Sequence, residues 1–475
     1  MNDVTMTVSA EPFSSALRRS VGVVMIGASL SFLDSTIVNV AVNTLSVDLR
    51  AGLGTVQWVV TAYLLALAAV IPATGWAARR FGADRLYVAA LAVFTVGSVL
   101  CACSSSVGML IASRTLQGVG GGAILPVGTM IWTAQSSKAQ MGRVMGLIAV
   151  PIVLAPTLGP LIGGLLIHGI DWRAIFWINV PVGVVGLVLA RRLLPRTRGD
   201  DAGPLDVIGL ILAAAGIVGI TYGLTELGAA GAPDPAALVA LPAGSAAVVG
   251  FVVHALRAER PLLDLRLYAG RGFTAASVAQ FALGAANFGG MILMPLYLQT
   301  VRGDGVILTG LLLAPTGFGA LLSAPLTDRY GAGITAFTGA AVLVASTIPF
   351  VFLTATTPYL LLCVVMVIRG IGFGLSIIPA MTAAYGALPP DKIPDATPQL
   401  NVLQRVGGAI GTAVLTVVLT GQLRHHGTPS GQAGAFGTAF LWVLAITIAA
   451  TLPTIVLAHT EHRAHRRTPA SEEAS

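Results

Sequence analysis

Long apolar stretches separated by short polar loops run through almost the whole chain. A membrane-spanning helix needs roughly 20 apolar residues, and an outer-membrane barrel would instead show shorter segments of alternating polarity. The pattern therefore predicts membrane-spanning α-helices. We place fourteen of them at residues 21–44, 56–78, 85–104, 107–132, 142–167, 173–192, 205–226, 236–256, 272–298, 306–326, 333–354, 359–385, 399–421 and 435–458.

The composition supports an integral membrane protein. Of the 475 residues, 55% are hydrophobic and 10% are charged, whereas soluble domains carry about 25% charged residues. The net charge of +7 fits basic cytoplasmic loops, so we expect no nucleic-acid partner. The three cysteines lie in apolar stretches, which indicates small core residues and not a disulfide framework or a metal site.

The distribution of lysine and arginine predicts the orientation. With the N-terminus in the cytoplasm, 20 basic residues fall in cytoplasmic segments, 4 in external segments and 3 within spans, as the positive-inside rule requires. Both termini are then cytoplasmic. The first apolar stretch follows Arg18 and Arg19 but is too long for a signal peptide, so we interpret it as a retained span. Two lysines against 25 arginines indicate a GC-rich bacterial source, hence a bacterial cytoplasmic membrane.

Short sequence motifs recur in the two halves of the chain. GWAARRFGADR (75–85) follows span 2, and APLTDRYG (324–331) follows span 10. RTLQGVGGG (114–122) in span 4 is matched by RGIGFG (369–374) in span 12. Transporters often contain such repeats, and this one maps spans 1–6 onto spans 9–14. The predicted regions are a cytoplasmic segment (1–20), a six-helix bundle (21–192), two inserted helices (205–256), a second six-helix bundle (272–458) and a cytoplasmic tail (459–475).

These motifs resemble a known family. The two loops are similar to the G-x-L-x-D-R-x-G-R/K signature of the major facilitator superfamily. LDSTIVNVAV (33–42), APTLGPLIGGLL (155–166) and DWRAIFWINVPVG (171–183) resemble its fourteen-span drug:proton antiporter branch. The resemblance implies an all-α fold of two six-helix bundles plus two inserted helices, a central cavity and alternating access.

The resemblance also implies residues that gate the cavity. On the cytoplasmic side these are Gly75, Arg79, Gly82 and Asp84 in the first loop, and Asp328 and Arg329 in the second. Arg79 occupies the position of the family's aspartate, so we expect the charge network to be rearranged or carried by Asp84 or Asp328. In span 5, prolines bend a helix and glycines allow close contact. This predicts a kinked sealing or hinge helix, or simply tight packing, at Pro156, Gly159, Pro160, Gly163 and Gly164.

Asp34 is the acidic residue whose position most strongly suggests chemistry. It lies 13 residues into span 1, roughly 20 Å deep at 1.5 Å per residue. Arg114 in span 4 lies at a compatible depth. A charge at the bilayer centre costs about 2.5–3.5 kcal/mol, so such a residue normally faces a cavity or a partner. The two residues are candidates for proton coupling, and the alternative is a fixed pair that only joins two helices.

Other polar and adaptable side chains could line the substrate cavity or hydrogen-bond between helices. Asn287 lies at the depth in span 9 that corresponds to Asp34, and Arg369 mirrors Arg114. We expect Arg405, at the start of span 13, to extend towards the cytoplasm. The candidates for the substrate cavity are Asn39, Tyr63, Gln117, Gln280, Asn287, Phe288, Met291 and Arg369.

The sequence favours transport over catalysis. It contains no P-loop of the G-x-x-x-x-G-K-[ST] type and no nucleophile motif, so we expect neither ATP hydrolysis nor an enzyme, and no cofactor. The predicted function is proton-coupled export of lipophilic drugs or antibiotics. The alternative is export of an endogenous metabolite, a lipid-like molecule or a sugar. The expected partners are protons, the lipophilic substrate and membrane lipids, and the protein is expected to be a monomer.

Overall fold

The structure is a computed structural model. It describes residues 13–467 except 138–139, 141–143, 145–146, 148–157, 160, 200–201, 229–234, 324–330, 390–391 and 425–427. The described part is helical, with short 3-10 turns at Ile71–Ala73 and Leu265–Ala269. The helices are α1 Ser15–Asp48, α2 Leu53–Val70, α3 Thr74–Phe81, α4 Ala83–Ala102, α5 Val107–Thr133, α6 at residues 161–169, α7 Ala174–Trp177, α8 Asn179–Leu193, α9 Val207–Gly228, α10 Pro235–Arg257, α11 Arg271–Thr300, α12 Val306–Ser323, α13 Ala332–Val351, α14 Tyr359–Gly386, α15 Ile393–Leu423 and α16 Pro429–Arg467.

The helices confirm a multi-pass membrane architecture. Within the described residues, 11 segments are long and apolar enough to cross a membrane. Neither α5 nor α12 is among them: α5 carries Arg114, Gln117 and a run of glycines, and α12 contributes a shorter apolar helix at Leu308–Ala320 among the residues whose side chains are described. The predicted span 142–167 lies largely outside the described residues. The number of fourteen spans therefore stays a prediction.

The two halves of the chain pack their helices in the same way. In the first half, α5 packs against α2 and α4, and α8 packs against α1 and α4. In the second half, α14 packs against α12 and α13, and α16 packs against α11 and α13. These pairings correspond helix by helix to the repeat suggested by the sequence motifs.

The helices α9 and α10 form a hairpin that lies beside the seam between the halves. They pack against each other, and α9 also contacts α2 of the first half and α15 of the second. The rings of Trp58 and Tyr222 join α2 to α9 at 5.5 Å between centroids. Asp206 holds the base of the hairpin by accepting hydrogen bonds from the backbone N–H groups of Gly209 (2.8 Å) and Leu262 (3.1 Å), and it contacts His254 Nε2 at 2.8 Å.

The halves meet at one end of the bundle. We call this the inner end, because α1 begins and α16 ends there and the sequence predicts it to be cytoplasmic. One apolar cluster at the inner end joins residues of both halves, from Leu17 and Val21 to Tyr385 and Leu400. At the outer end each half has its own cluster: Ile37 to Phe176 in the first half and Leu293 to Val443 in the second. In the described residues, the main direct contacts between the halves come from α15 against α3, α5 and the turn before α3.

Candidate functional site

The Asp34 carboxylate is sealed inside the first half. Both Asp34 and Arg114 are 0% exposed, and Arg114 Nη1 donates to Asp34 Oδ2 at 2.5 Å. The structure therefore brings together the two residues that the sequence paired by depth. A buried charge is tolerated only when it is paired and hydrogen-bonded, and the surrounding groups satisfy that condition.

Two amides complete the set of donors around Asp34. Gln117 Nε2 donates to Asp34 Oδ1 at 3.0 Å, and Asn179 Nδ2 donates to the same oxygen at 2.8 Å. Asn179 also donates to Ser98 Oγ at 3.2 Å. The carboxylate thus accepts hydrogen bonds from α5 and α8 at once, so a movement of either helix changes its environment.

Arg114 is held by several groups besides Asp34. Its Nη1 donates to Gln117 Oε1 at 2.8 Å, and its Nε donates to the backbone oxygen of Val59 at 3.2 Å. The guanidinium carbon lies 4.0 Å from the ring centroid of Tyr63, a cation–π geometry. Arg114 Nη2 is buried without a partner in the described part of the chain. Nη2 of Arg114 is therefore a buried donor that the described network does not use.

The sequence interpretation missed Asn179 and Ser98. Asn179 stands in the quoted motif DWRAIFWINVPVG but received no role. The available signal was a single amide side chain near the outer end of an otherwise apolar span. At that position the sequence does not distinguish an amide exposed to water from an amide buried against Asp34. Gln117, predicted for the substrate cavity, instead contacts the Asp34–Arg114 pair.

Two glycines of span 5 bring that segment close to α1 beside Asp34. A Cβ at Gly159 would collide with Thr36 Oγ1, and one at Gly163 would lie 2.9 Å from Ile37 Cγ1. At Gly164 an added Cβ would meet no described atom within 4 Å. Pro156 and Pro160 lie outside the described residues.

The remaining cavity candidates fall into two groups. Tyr63 and Gln280 are buried and bonded within their own halves, Tyr63 to the backbone oxygen of Ser31 at 3.2 Å and Gln280 to that of Ile377 at 2.9 Å. Three others are exposed: Asn39, Phe288 and Met291. A shared substrate cavity for these residues therefore stays a prediction.

Among the described residues, the second half has no acid that pairs with Arg369 as Asp34 pairs with Arg114 in the first half. Asn287 donates to the backbone oxygen of Leu283 in its own helix at 2.9 Å, and Arg369 Nη1 donates to Thr347 Oγ1 at 2.8 Å. Arg405 corrects a prediction. It lies well inside α15, which begins at Ile393, and within electrostatic reach of Tyr63 in the first half, so it does not extend from a helix start towards the cytoplasm.

An ion pair joins the two halves at the inner end. Arg79 Nη1 contacts Asp395 Oδ1 in the first turn of α15. Next to it, a Cβ at Gly75 would lie 2.5 Å from the backbone oxygen of Pro394. A nearby ion pair, Lys392 Nζ with Asp264 Oδ2 at 3.2 Å, joins the segment before α15 to the segment between α10 and α11 and does not cross between the halves. The inner end is thus closed by both charge pairing and close backbone contact.

Asp84, one of the expected alternative carriers of this charge network, takes no part in the described contacts of the closure. Asp84 Oδ1 accepts hydrogen bonds from the backbone N–H (3.0 Å) and the hydroxyl (2.6 Å) of Thr197, so it binds within the first half. Gly82 has φ +89° and its Cβ would lie 2.6 Å from the backbone oxygen of Thr197, which requires glycine. Asp328 and Arg329 lie outside the described residues.

Comparison with known proteins identifies the family. The profile of the Major Facilitator Superfamily matches residues 24–412. The chain belongs to this superfamily. It is similar to the multidrug resistance protein B homolog of Mycobacterium tuberculosis, with 37% identity over 86% of this chain and 77% of the relative. It is also similar to the methylenomycin A resistance protein of Bacillus subtilis, with 34% identity over 95% of each chain.

The fold also matches a solved transporter of this superfamily. The proton:xylose symporter XylE superposes with a TM-score of 0.63 at 13% identity, over 91% of this chain and 95% of that one. At this identity the likeness concerns the fold alone. Together with the family match, it makes this major facilitator chain a membrane-embedded transporter and not an enzyme.

Proposed function

We propose that this major facilitator protein is a proton-coupled antiporter that exports lipophilic drugs or antibiotics across a bacterial cytoplasmic membrane by alternating access. Its relatives named for multidrug and methylenomycin A resistance support the substrate class. The proposed architecture has fourteen spans: two six-helix bundles (21–192 and 272–458), the inserted pair α9 and α10, and cytoplasmic termini.

The sealed Asp34 carboxylate is the observation that carries the proposed proton coupling. In the inner-closed arrangement its charge is balanced by Arg114 and two amide donors. A movement that draws α5 or α8 away from α1 removes donors and admits water. For antiport, this opening must admit water from the external side while the inner end is closed, so that the carboxylate takes its proton there, and the contacts must be restored when the cavity opens to the cytoplasm, so that the proton is expelled to that side. Proton binding is thereby linked to the conformation of the transporter.

The inner-end contacts supply the conformational half of the proposal. Because Arg79–Asp395 and the Gly75–Pro394 contact hold the halves together at that end, alternating access requires these contacts to break when the cavity opens to the cytoplasm. The substrate would enter in that open state and leave from the outer end, where the two halves keep separate apolar clusters.

The test uses everted membrane vesicles with a preformed proton gradient. Adding a substrate drug should dissipate the gradient in wild type and not in Asp34→Asn. Asp171→Asn is the matched control, because in the described part of the chain the Asp171 side chain pairs with Arg173 alone, in a partly exposed loop, and it should behave as wild type. Full coupled transport by Asp34→Asn would refute the role of Asp34. Unchanged susceptibility across a panel of toxic compounds in a pump-deficient host would favour metabolite export.

A further inference from the structure

The two halves differ in how they neutralise a homologous pair of arginines. Arg114 and Arg369 occupy corresponding positions of the repeated motifs in α5 and α14. Arg114 is paired with the Asp34 carboxylate. For Arg369, no carboxylate of the described residues lies at ion-pair distance, and its one hydrogen-bond partner there is the neutral Thr347 hydroxyl. The second half therefore holds an uncompensated positive charge.

The neighbouring residues do not replace the missing acid. Asn287 stands where the repeat would place an acid, but its amide is bonded to Leu283 of its own helix. Arg369 lies 10 residues after the start of α14 at Tyr359, roughly 15 Å into the helix at 1.5 Å per residue. A charge at that depth costs several kcal/mol unless it meets a partner or water. Arg369 is partly exposed, so its guanidinium is accessible to a partner that is not part of this chain.

The packing around Arg369 positions its guanidinium. A Cβ on Gly290 of α11 would lie 2.6 Å from Arg369 Nη2, so the glycine leaves room for that nitrogen. The Thr347 hydroxyl of α13 accepts from Nη1 at 2.8 Å. The Arg369 side chain is thus held between α11 and α13. The other N–H groups of its guanidinium have no hydrogen-bond partner in the described part of the chain. Such a fork of donors suits a carboxylate or another oxyanion.

A second uncompensated arginine adds to the positive field. Arg405 of α15 is partly exposed, has no carboxylate partner in the described part of the chain and lies within electrostatic reach of Tyr63 across the seam. Because Arg114 cancels Asp34, these two arginines leave the interior of the described spans with an excess of positive charge. Uncompensated positive charge of this kind attracts ligands of the opposite sign.

We propose that Arg369 forms an anion-binding site in the transport pathway, with Arg405 contributing at longer range, and that the exported compounds include lipophilic molecules bearing a carboxylate or a similar acidic group. This inference rests on the proposed export function and specifies its substrate class. The hydrophobic body of such a compound would contact the exposed apolar side chains Phe288 and Met291 of α11, which lie two residues before and one residue after Gly290.

The experiment measures binding without transport. The purified full-length protein in detergent is titrated with 1-pyrenebutyrate and, separately, with its methyl ester, and binding is followed by energy transfer from tryptophan to pyrene. The two probes share the apolar body and differ in charge. Wild type should bind the acid at least about tenfold more tightly than the ester, as expected for a charge-assisted hydrogen bond. Arg369→Gln should reduce that ratio to about twofold or less, and Arg369→Lys should retain part of it.

Two further variants keep the test decisive if Arg369→Gln does not fold. Gly290→Ala should weaken binding of the acid and leave the ester unchanged, because the added methyl displaces the guanidinium. Arg405→Gln should weaken the acid by a smaller factor. Equal binding of acid and ester by wild type would overturn the proposal, as would an unchanged preference in folded Arg369→Gln.

The outcome is separable from that of the export proposal. Selective binding of the acid without any drug-driven proton flux would leave the anion site standing and remove proton-coupled export. Drug-driven proton flux restricted to neutral and cationic compounds, without acid preference in binding, would remove the anion site alone.

Discussion

Exchanging the charges of Arg79 and Asp395 tests whether their ion pair keeps the inner end closed. Arg79→Asp places two carboxylates against each other, Asp395→Arg places two guanidinium groups together, and the double exchange restores an opposite pair with reversed polarity. The side chains are 28% and 14% exposed. The free energy that this pair contributes should therefore lie between the values for two other classes of ion pair. Exposed pairs contribute about 0.2–1 kcal/mol, and breaking a buried pair costs about 3–5 kcal/mol.

We take the contribution of this pair to the closed state as about 1–2 kcal/mol on that basis. This corresponds to a factor of roughly 5–30 in the ratio of closed to open molecules. Repulsion between like charges adds to the loss in each single variant. Each single exchange should therefore populate an inner-open state, and the double exchange should recover most of the closed population.

Pulsed electron–electron distance measurement between spin labels reports this ratio. Suitable label positions are the exposed residues Ala89 near the inner end of α4 and Ala387 just after α14, in a protein whose native cysteines have been replaced. Both single exchanges should move the distance distribution to longer values. A distribution that is unchanged in the single variants, or one that the double exchange fails to restore, would refute the assignment of this pair as the inner closure.

Three further predictions follow from contacts described above. Gly75→Ala should lengthen the same inner-end distances, because the methyl would lie 2.5 Å from the Pro394 oxygen. Asn179→Leu should lower the free energy of unfolding by about 1–3 kcal/mol, measured by thermal unfolding, because the Asp34 carboxylate loses a donor. Burial opposes ionisation of Asp206, but hydrogen bonds from Gly209, His254 and Leu262 outweigh it and lower its pKa below 3.8. Its stabilisation should thus be present above about pH 4 and lost at lower pH.

Each of these predictions has a matched control. Gly22→Ala introduces a Cβ with no described atom within 4 Å and should leave the distances unchanged. Asn39→Leu, at an exposed position of α1, should leave the unfolding temperature near that of wild type. Asp206→Asn should lower the unfolding temperature at pH 7 and reduce its fall between about pH 7 and pH 3. A variant that loses as much on acidification as wild type would contradict the assignment to Asp206.

The Asp34–Arg114 contact could be predicted because the membrane makes charges costly. Helical rise converts residue number into depth, and a carboxylate and a guanidinium at matching depths have a strong physical reason to meet. The same reasoning placed Asn287 opposite Asp34 in the repeat. It could not show that the Asn287 amide donates a hydrogen bond to its own helix. A neutral amide can form such a local hydrogen bond at little cost in free energy, so its depth in the membrane does not determine its partner.

The Arg79–Asp395 pair could not be predicted from the sequence. The two residues are 316 positions apart, and the inner loops contain many charges in water, where no single pairing is much favoured. The sequence showed that Arg79 departs from the family pattern, and it offered Asp84 and Asp328 as partners. The choice of Asp395 depends on how α3 meets the first turn of α15, which is set by packing between the halves.

The position of the α9–α10 hairpin has a consequence for how lipophilic molecules reach the protein. Because α9 packs against both α2 and α15, it separates the seam between the two halves from the bilayer on that side. A lipophilic substrate of the proposed export function would therefore have to reach the seam from another side of the molecule. In the proposed alternating-access cycle the halves move relative to each other, so at least one face of α9 would have to slide against α2 or α15.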